Sequence, residues 1–244
     1  RRMPIDMQAM TEAAGAVNYY AASSLDRGEK GDEAAYKRLE FLTPIAKAWA
    51  TEVAQEVTGL GVQIHGGMGF VEETGAAQFV RDARIITIYE GTTGIQALDL
   101  IGRKILRDGG AQLTSVIAEV EATVKQLQKK SNSLPQLTVE LGSALEQWQK
   151  SSQDITGSVI DEVDLIGACS VNYLMLCGTV LGGWLMAKSA LVAMEKNDED
   201  PDFYGAKIIT AEFFAAHILP RAGAYATAAT ADSQLTMGLK EEQF

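Results

Sequence analysis

The run from Leu165 to Ala187 contains no charged residue, and this constrains the fold more than any other feature of the chain. A helix of that length suits a membrane span, and Gly178 and Gly182 supply the small-xxx-small spacing that lets helices approach closely. Against a span stand Ser170, Asn172, Tyr173 and Thr179, and the flank that precedes the run carries Asp161, Glu162 and Asp164 rather than basic residues. A helix that is apolar all round is equally the central member of a soluble bundle. We therefore expect no integral membrane span, and a buried helix surrounded by others.

The remaining sequence is compatible with such surroundings. Ala, Leu, Glu, Gln, Lys and Met dominate, and no segment sustains period-two alternation. The expected fold is all-α, an up-and-down helical bundle followed by a second helical bundle. Residues 4 to 26 form a first candidate helix, ended by the loop 26–32, with Asp32 as N-cap of the next. Pro44 lies inside that second helical pattern and predicts a kink or break. A glycine cluster ends it, a short helix spans 75–81, and another begins near Glu90 or Gly91 and continues through Ile105. Gly109-Gly110 is the best internal boundary, dividing a domain 1–108 from an extension 109–244. In the extension, 111–130 and 136–152 should pair antiparallel around the turn at 131–135. Residues 155–195 read as one long helix. The stretch 203–218 follows, with Asp202 as its cap and Pro220 beyond its end.

Hydrophobic residues make up 47% of the 244, enough to bury a sizeable core. A net charge of −11 repels nucleic-acid phosphates and sets that partner class aside. Cys169 and Cys177 stand eight residues apart, too far along one helix for a disulfide. They read as buried, unpaired thiols in a reducing compartment, and no Cys/His cluster marks a metal site. The start, Arg1-Arg2-Met3-Pro4, suggests a piece of a longer protein.

The segment from Gln63 to Gln96 carries the candidate chemistry. It reads Gln63-Ile64-His65-Gly66-Gly67-Met68-Gly69-Phe70, then Arg81-Asp82-Ala83-Arg84, then Ile88-Tyr89-Glu90-Gly91-Thr92-Thr93-Gly94-Ile95-Gln96. Glu90 follows a run of apolar side chains, so burial would raise its pKa and suit it to accept a carbon-bound proton. The alternative is a first-turn glutamate that complements a helix dipole. Gly66, Gly67 and Gly69 permit positive φ and close backbone approach, or simply make a tight turn. No strand precedes them, so they are not a dinucleotide fingerprint. His65 reads as a hydrogen-bonded structural residue, and Arg81, Asp82 and Arg84 as ion-pairing neighbours.

Taken together, Gln-x-x-Gly-Gly-x-Gly-Phe, Arg-Asp-Ala-Arg-Ile and Ile-Tyr-Glu-Gly-Thr with a downstream Ile-Gln resemble the C-terminal helical domain of the acyl-CoA dehydrogenase family. The similarity covers roughly residues 1 to 108. The rest is similar to the helical extension of larger bacterial members. The resemblance implies FAD as cofactor and oxidation of an acyl-CoA thioester to the trans-2-enoyl-CoA. A glutamate removes the α-proton while the β-hydrogen leaves as hydride to flavin N5. Glu90 matches that glutamate, and Gly91 a position whose backbone lies against the substrate. Gln63, Ile64, His65, Gly66 and Gly67 match the loop at the FAD phosphates, often across a subunit interface. Thr92 and Thr93 match residues near the flavin. It further implies a homo-oligomer, such as a dimer, an electron-transfer flavoprotein as acceptor, and a cytoplasmic location. Gly94 departs from the Gln or Asn of many relatives, and the family's N-terminal helical and middle β-domains have no counterpart here. The isolated chain is therefore expected to be inactive. The competing reading is a non-catalytic helical oligomerisation or docking module, peripheral to a membrane.

Overall fold

The computed structural model describes residues 1–158 and 163–243. Among these every regular element is helical. α1 (Arg2–Glu29) and α2 (Glu33–Ile64) form a long hairpin. Asp32 caps α2 as expected, accepting from the Ala35 N–H at 2.9 Å, and its carboxylate also pairs with Arg27 at 2.6 Å. Pro44 does not break α2, which continues through it. Its ring is buried, so packing offsets the lost N–H bond, and the Thr43 hydroxyl bonds the Leu39 carbonyl alongside it at 2.8 Å.

After α2 come the short α3 (Gly67–Phe70), a 3₁₀ turn, and α4 (Ala76–Ile86). α5 (Thr93–Asp99) then widens into a π-helical turn over Leu100–Ile105. The wider winding buries Leu100, Ile101 and Ile105 together. Gly109 and Gly110 both take positive φ, a conformation that suits glycine and reverses the chain. Asp108 accepts from the Gly110 and Gln112 N–H groups to start α6.

α6 (Ala111–Gln128) and α7 (Pro135–Ser158) pair antiparallel as expected, with Gln149 donating to Glu121 and Thr138 to the Leu127 carbonyl. The expected single helix 155–195 is instead the end of α7 and a separate α8 (Val163–Lys196). Asp161 and Glu162, part of that expectation and of the acidic flank, lie outside the described residues. α9 (Pro201–His217) is capped by Asp200, not Asp202: Asp200 accepts from Phe203 N–H at 3.1 Å. Pro201 at the first helical position moves the cap back by two residues. Pro220 stands between α9 and α10 (Arg221–Ala229), and the short α11 (Gln234–Met237) lies near the end.

α8 is the axis of the fold. It packs against α1, α2, α5, α6, α7, α9 and α10, and every residue from Leu176 to Ala187 is buried. Three turns with no exposed side leave no place for a polar stripe, which accounts for the uncharged run. Its length and composition meet the criterion for crossing a membrane, but its sides are filled by this chain's own helices. The core is continuous, with Met10, Trp49 and Ile101 in the same cluster as Trp148, Trp184 and Phe214. Cys169 and Cys177 are buried and unpaired, as expected.

Candidate active site

The sequence-predicted residues fall at two turns served by α2. The first is at its C-terminus. Gly66 takes φ 61° and ψ −143°, outside the regions open to other residues. A Cβ at Gly66 or Gly67 would meet nothing within 4 Å, whereas one at Gly69 would come within 2.2 Å of the Val62 carbonyl oxygen. Gly69 is thus required by packing and Gly66 by backbone shape, whereas Gly67 is an ordinary helical position with open space beside it. Gln63, Ile64, His65, Gly66 and Gly67 are all exposed. His65 is held by its Nδ1, which donates to the Gly61 carbonyl at 2.8 Å. Arg81 pairs with Glu72 and donates to Gln78, whose amide donates to Asp82, the neighbour pairing expected for that group.

The second turn joins α4 to α5. Among the described residues Glu90 alone has positive φ without being glycine, at 57°, and Gly91 follows at 95°. Two successive left-handed residues cannot belong to a right-handed helix. The expected helix start at Glu90 or Gly91 therefore shifts to Thr93, with the Thr92 hydroxyl accepting from Ile95 N–H. The turn is tied down from two sides. Lys47 Nζ donates to the Gly91 carbonyl at 2.5 Å, and Thr93 Oγ1 donates to Glu52 Oε1 at 2.5 Å, both from α2. Gln96 Nε2 donates to the Glu90 carbonyl at 3.0 Å from α5. Lys47, Glu52 and Gln96 were not among the predicted site residues. The available signal was ionisable Lys47 and Glu52 set among Ile45, Ala48, Trp49 and Val53 on the buried stripe of α2.

One expectation is corrected. The apolar segment before Glu90 was to bury it, yet Glu90 is exposed, with Ile85 54%, Ile88 47% and Tyr89 51% exposed. α2 supplies only one wall, and the apolar side chains face away from it. The dry surroundings expected for this carboxylate are not built by this chain's own residues. Beyond the turn, Ile95 and Leu98 also present apolar surface. The two turns are separated by about 18 Å along α2, from Glu52 to Ile64 at 1.5 Å per residue.

An exposed glycine backbone allows close approach of a cofactor, and a carboxylate beside exposed apolar surface fits an apolar ligand that would cover it. The two turns, Gln63 to Gly67 and Thr92-Thr93, are thus compatible with contact to FAD.

The fold and this pair of turns define an all-helical module that presents an exposed glutamate on a left-handed turn. The family described as "Acyl-CoA dehydrogenase, C-terminal domain" matches residues 1–106, and "Acetyl-CoA dehydrogenase C-terminal like" matches 116–240. The chain belongs to the acyl-CoA dehydrogenase family and carries its C-terminal helical region. It is 41% identical to 3-methylmercaptopropionyl-CoA dehydrogenase of Ruegeria pomeroyi, over 98% of this chain and 42% of the relative. It is 32% identical to the broad-specificity linear acyl-CoA dehydrogenase FadE5 of Mycobacterium tuberculosis, over 90% of this chain and 39% of that protein. The chain thus spans about two fifths of the length of these relatives. Two solved structures share the fold. Caenorhabditis elegans ACDH-11 in complex with C11-CoA has a TM-score of 0.68 at 22% identity, covering 85% of this chain and 34% of that one. An acyl-CoA dehydrogenase complexed with FAD from Bacillus anthracis has a TM-score of 0.71 at 18% identity, covering 98% and 42%.

Proposed function

We propose that the chain is the C-terminal part of an FAD-dependent acyl-CoA dehydrogenase that oxidises an acyl-CoA thioester to the 2-enoyl-CoA. In this reading residues 1–108 are the family's C-terminal helical domain and 109–244 its extension. Glu90 is the base that takes the α-proton, and the Gly91 backbone lies against the substrate. The exposed Gln63–Gly67 turn and the residues Thr92 and Thr93 would hold FAD, which when bound would supply the hydride acceptor for the β-hydrogen.

One observation carries the assignment. A glutamate is held at φ 57°, although such a conformation costs a non-glycine residue about 1–2 kcal/mol. Strain of this kind persists where the surroundings over-determine it, and it concentrates at functional sites. Here Lys47, Glu52 and Gln96 hold the turn at the Gly91 carbonyl, the Thr93 hydroxyl and the Glu90 carbonyl, just after the Glu90 side chain. An α-C–H is a weak acid, so its base needs water excluded and the developing enolate stabilised. The exposed Ile88, Tyr89, Ile95 and Leu98 give the reading its second support, since substrate, cofactor or other chain segments would seal the carboxylate by covering them. The partners in this reading are acyl-CoA, a second copy of the protein in a homo-oligomer, and an electron-transfer flavoprotein as acceptor, in the cytoplasm.

The test is Glu90→Gln in the full-length protein. FAD stoichiometry should be retained and substrate-dependent flavin reduction should fall by at least 10³-fold, on the order expected for loss of a base that no neighbour replaces. Wild-type reduction in that variant would discard Glu90 as the base, and absence of substrate-dependent reduction in the unaltered full-length protein would favour the non-catalytic docking module. The chain on its own, without the remaining walls, should not reduce flavin with acyl-CoA.

A further inference from the structure

The helix that holds the Glu90 turn is itself keyed into the extension. Trp49 of α2 is 2% exposed and rests on Gly178 and Gly182 of α8. A Cβ at Gly178 would come within 2.1 Å of Trp49 Cγ, and one at Gly182 within 2.6 Å of Trp49 Cη2. Neither position has room for a methyl group, so the indole seats on α8 backbone and fixes both the rotation and the height of α2. Arg221 of α10 adds a second tie, a bidentate pair with Glu56 at 2.6 and 2.7 Å. α8 also packs directly on α5.

Lys47 lies two residues before Trp49, and Glu52 three after it. These are the side chains that hold the Gly91 carbonyl and the Thr93 hydroxyl. The contacts therefore run without a gap from the glycine notch of α8, through Trp49, to the turn that presents Glu90. The turn's other ties are local, from Gln96 to the Glu90 carbonyl and from the Thr93 N–H to the Thr87 carbonyl, while its apolar side chains at Ile88 and Tyr89 are exposed. A small shift of α2 would move both anchors, and with them the carboxylate.

We propose that α8 is a positioning element of the dehydrogenase site, with Trp49, Lys47 and Glu52 as positioning residues that place the Glu90 turn. This rests on the function proposed above. The extension then has a role in the chemistry without touching substrate: its backbone sets where the base stands. Placement matters because misplacing a reacting group by about 1 Å costs on the order of 10²-fold in rate.

The experiment uses the full-length, FAD-loaded protein and follows flavin reduction in single turnover at saturating acyl-CoA. Gly182→Ala should slow reduction about 10- to 100-fold while FAD stoichiometry and KM stay near wild type. Adding Trp49→Phe, which removes the Cη2 atom that the new methyl group would strike, should restore the rate to within about threefold. Glu52→Leu should slow reduction to a similar degree, and Glu52→Gln, which keeps an acceptor for Thr93, should not. This second pair stands if Gly182→Ala fails to fold. Unchanged rates in both Gly182→Ala and Glu52→Leu would overturn the proposal. So would equal losses in Glu52→Gln and Glu52→Leu, or a Gly182→Ala defect that Trp49→Phe leaves in place. Glu90→Gln, run alongside, separates the two readings: a wild-type rate there defeats the assignment of Glu90 as the base, whereas a dead Glu90→Gln beside undisturbed positioning variants defeats this proposal alone.

Discussion

Arg38 of α2 reaches Glu119 of α6 with 2.6 Å between Nη1 and Oε1. The same guanidinium donates to Tyr20 Oη, to Ser115 Oγ at 2.8 Å and to Gln112 Oε1 at 3.3 Å. Residues of both family segments thus share one largely buried charge, and beside it Trp184 stacks edge-on against Tyr20 and donates Nε1 to Thr123 at 2.8 Å. Burial pushes the Tyr20 phenol above its ordinary pKa, with the Arg38 charge opposing.

Arg38→Met should therefore destabilise the protein by about 2–3 kcal/mol, because four polar partners lose their donor at once. Glu119→Gln should cost less than about 1 kcal/mol, since Glu119 is 44% exposed and water screens the pair. Urea unfolding of both variants checks the ranking. Equal losses would mean that the ion pair, not the guanidinium's set of hydrogen bonds, joins the two segments.

The helices were legible because burial imposes a period. α8 announced itself by having no polar side, and Asp32, Pro220 and the glycine pair at 109 and 110 marked boundaries through local chemistry. Boundaries set by tertiary contact were not legible. Nothing near Pro135 shows that Glu212 of α9 caps α7 by accepting from Gln136 and Leu137 N–H at 3.0 Å each. The site divided in the same way. The glycine turn and Glu90 stood out as residue types. The left-handed backbone at Glu90, and its anchoring by Lys47 and Glu52 more than thirty-five residues upstream, arise only when α2 lies beside the turn. The expected burial of Glu90 failed because apolar sequence says that a surface seeks cover, not that the same chain provides it.

The two thiols should be silent until the fold opens. Burial pushes Cys177 up to about 12 and Cys169 to about 11. The thiolate is the reactive form, so at pH 8 the native Cys177 should react roughly a thousandfold more slowly than an unfolded thiol. The stability effect has a definite sign. A raised folded pKa favours the native state below the unfolded value near 9, and that contribution is lost as pH climbs from there towards 12. A thiol-reactive chromophore should count no thiol in the native protein and two in denaturant, and Cys177→Ala should flatten the alkaline fall in stability. Rapid native labelling at pH 8 would contradict the buried placement of α8.

Glu90→Gly should raise stability while Glu90→Ala does not. At φ 57° every L side chain crowds the following carbonyl, at about 1–2 kcal/mol, and glycine escapes that cost. Glycine also carries more unfolded-state entropy, roughly 0.5–1 kcal/mol, so the net gain should be about 0.5–1 kcal/mol. The hydrogen bond from Gln96 goes to the residue 90 carbonyl and survives the change. Among the described residues the exposed carboxylate makes no hydrogen bond or ion pair that the substitution would remove. Ala keeps the crowding Cβ and should leave the midpoint of denaturant unfolding near wild type. A stabilised Glu90→Gly that has also lost substrate-dependent flavin reduction would show that the fold tolerates a strained glutamate at a place where its backbone prefers glycine. If glycine instead lowers the midpoint, the turn does not store strain at Glu90, and the chief structural support for that residue as the base is gone.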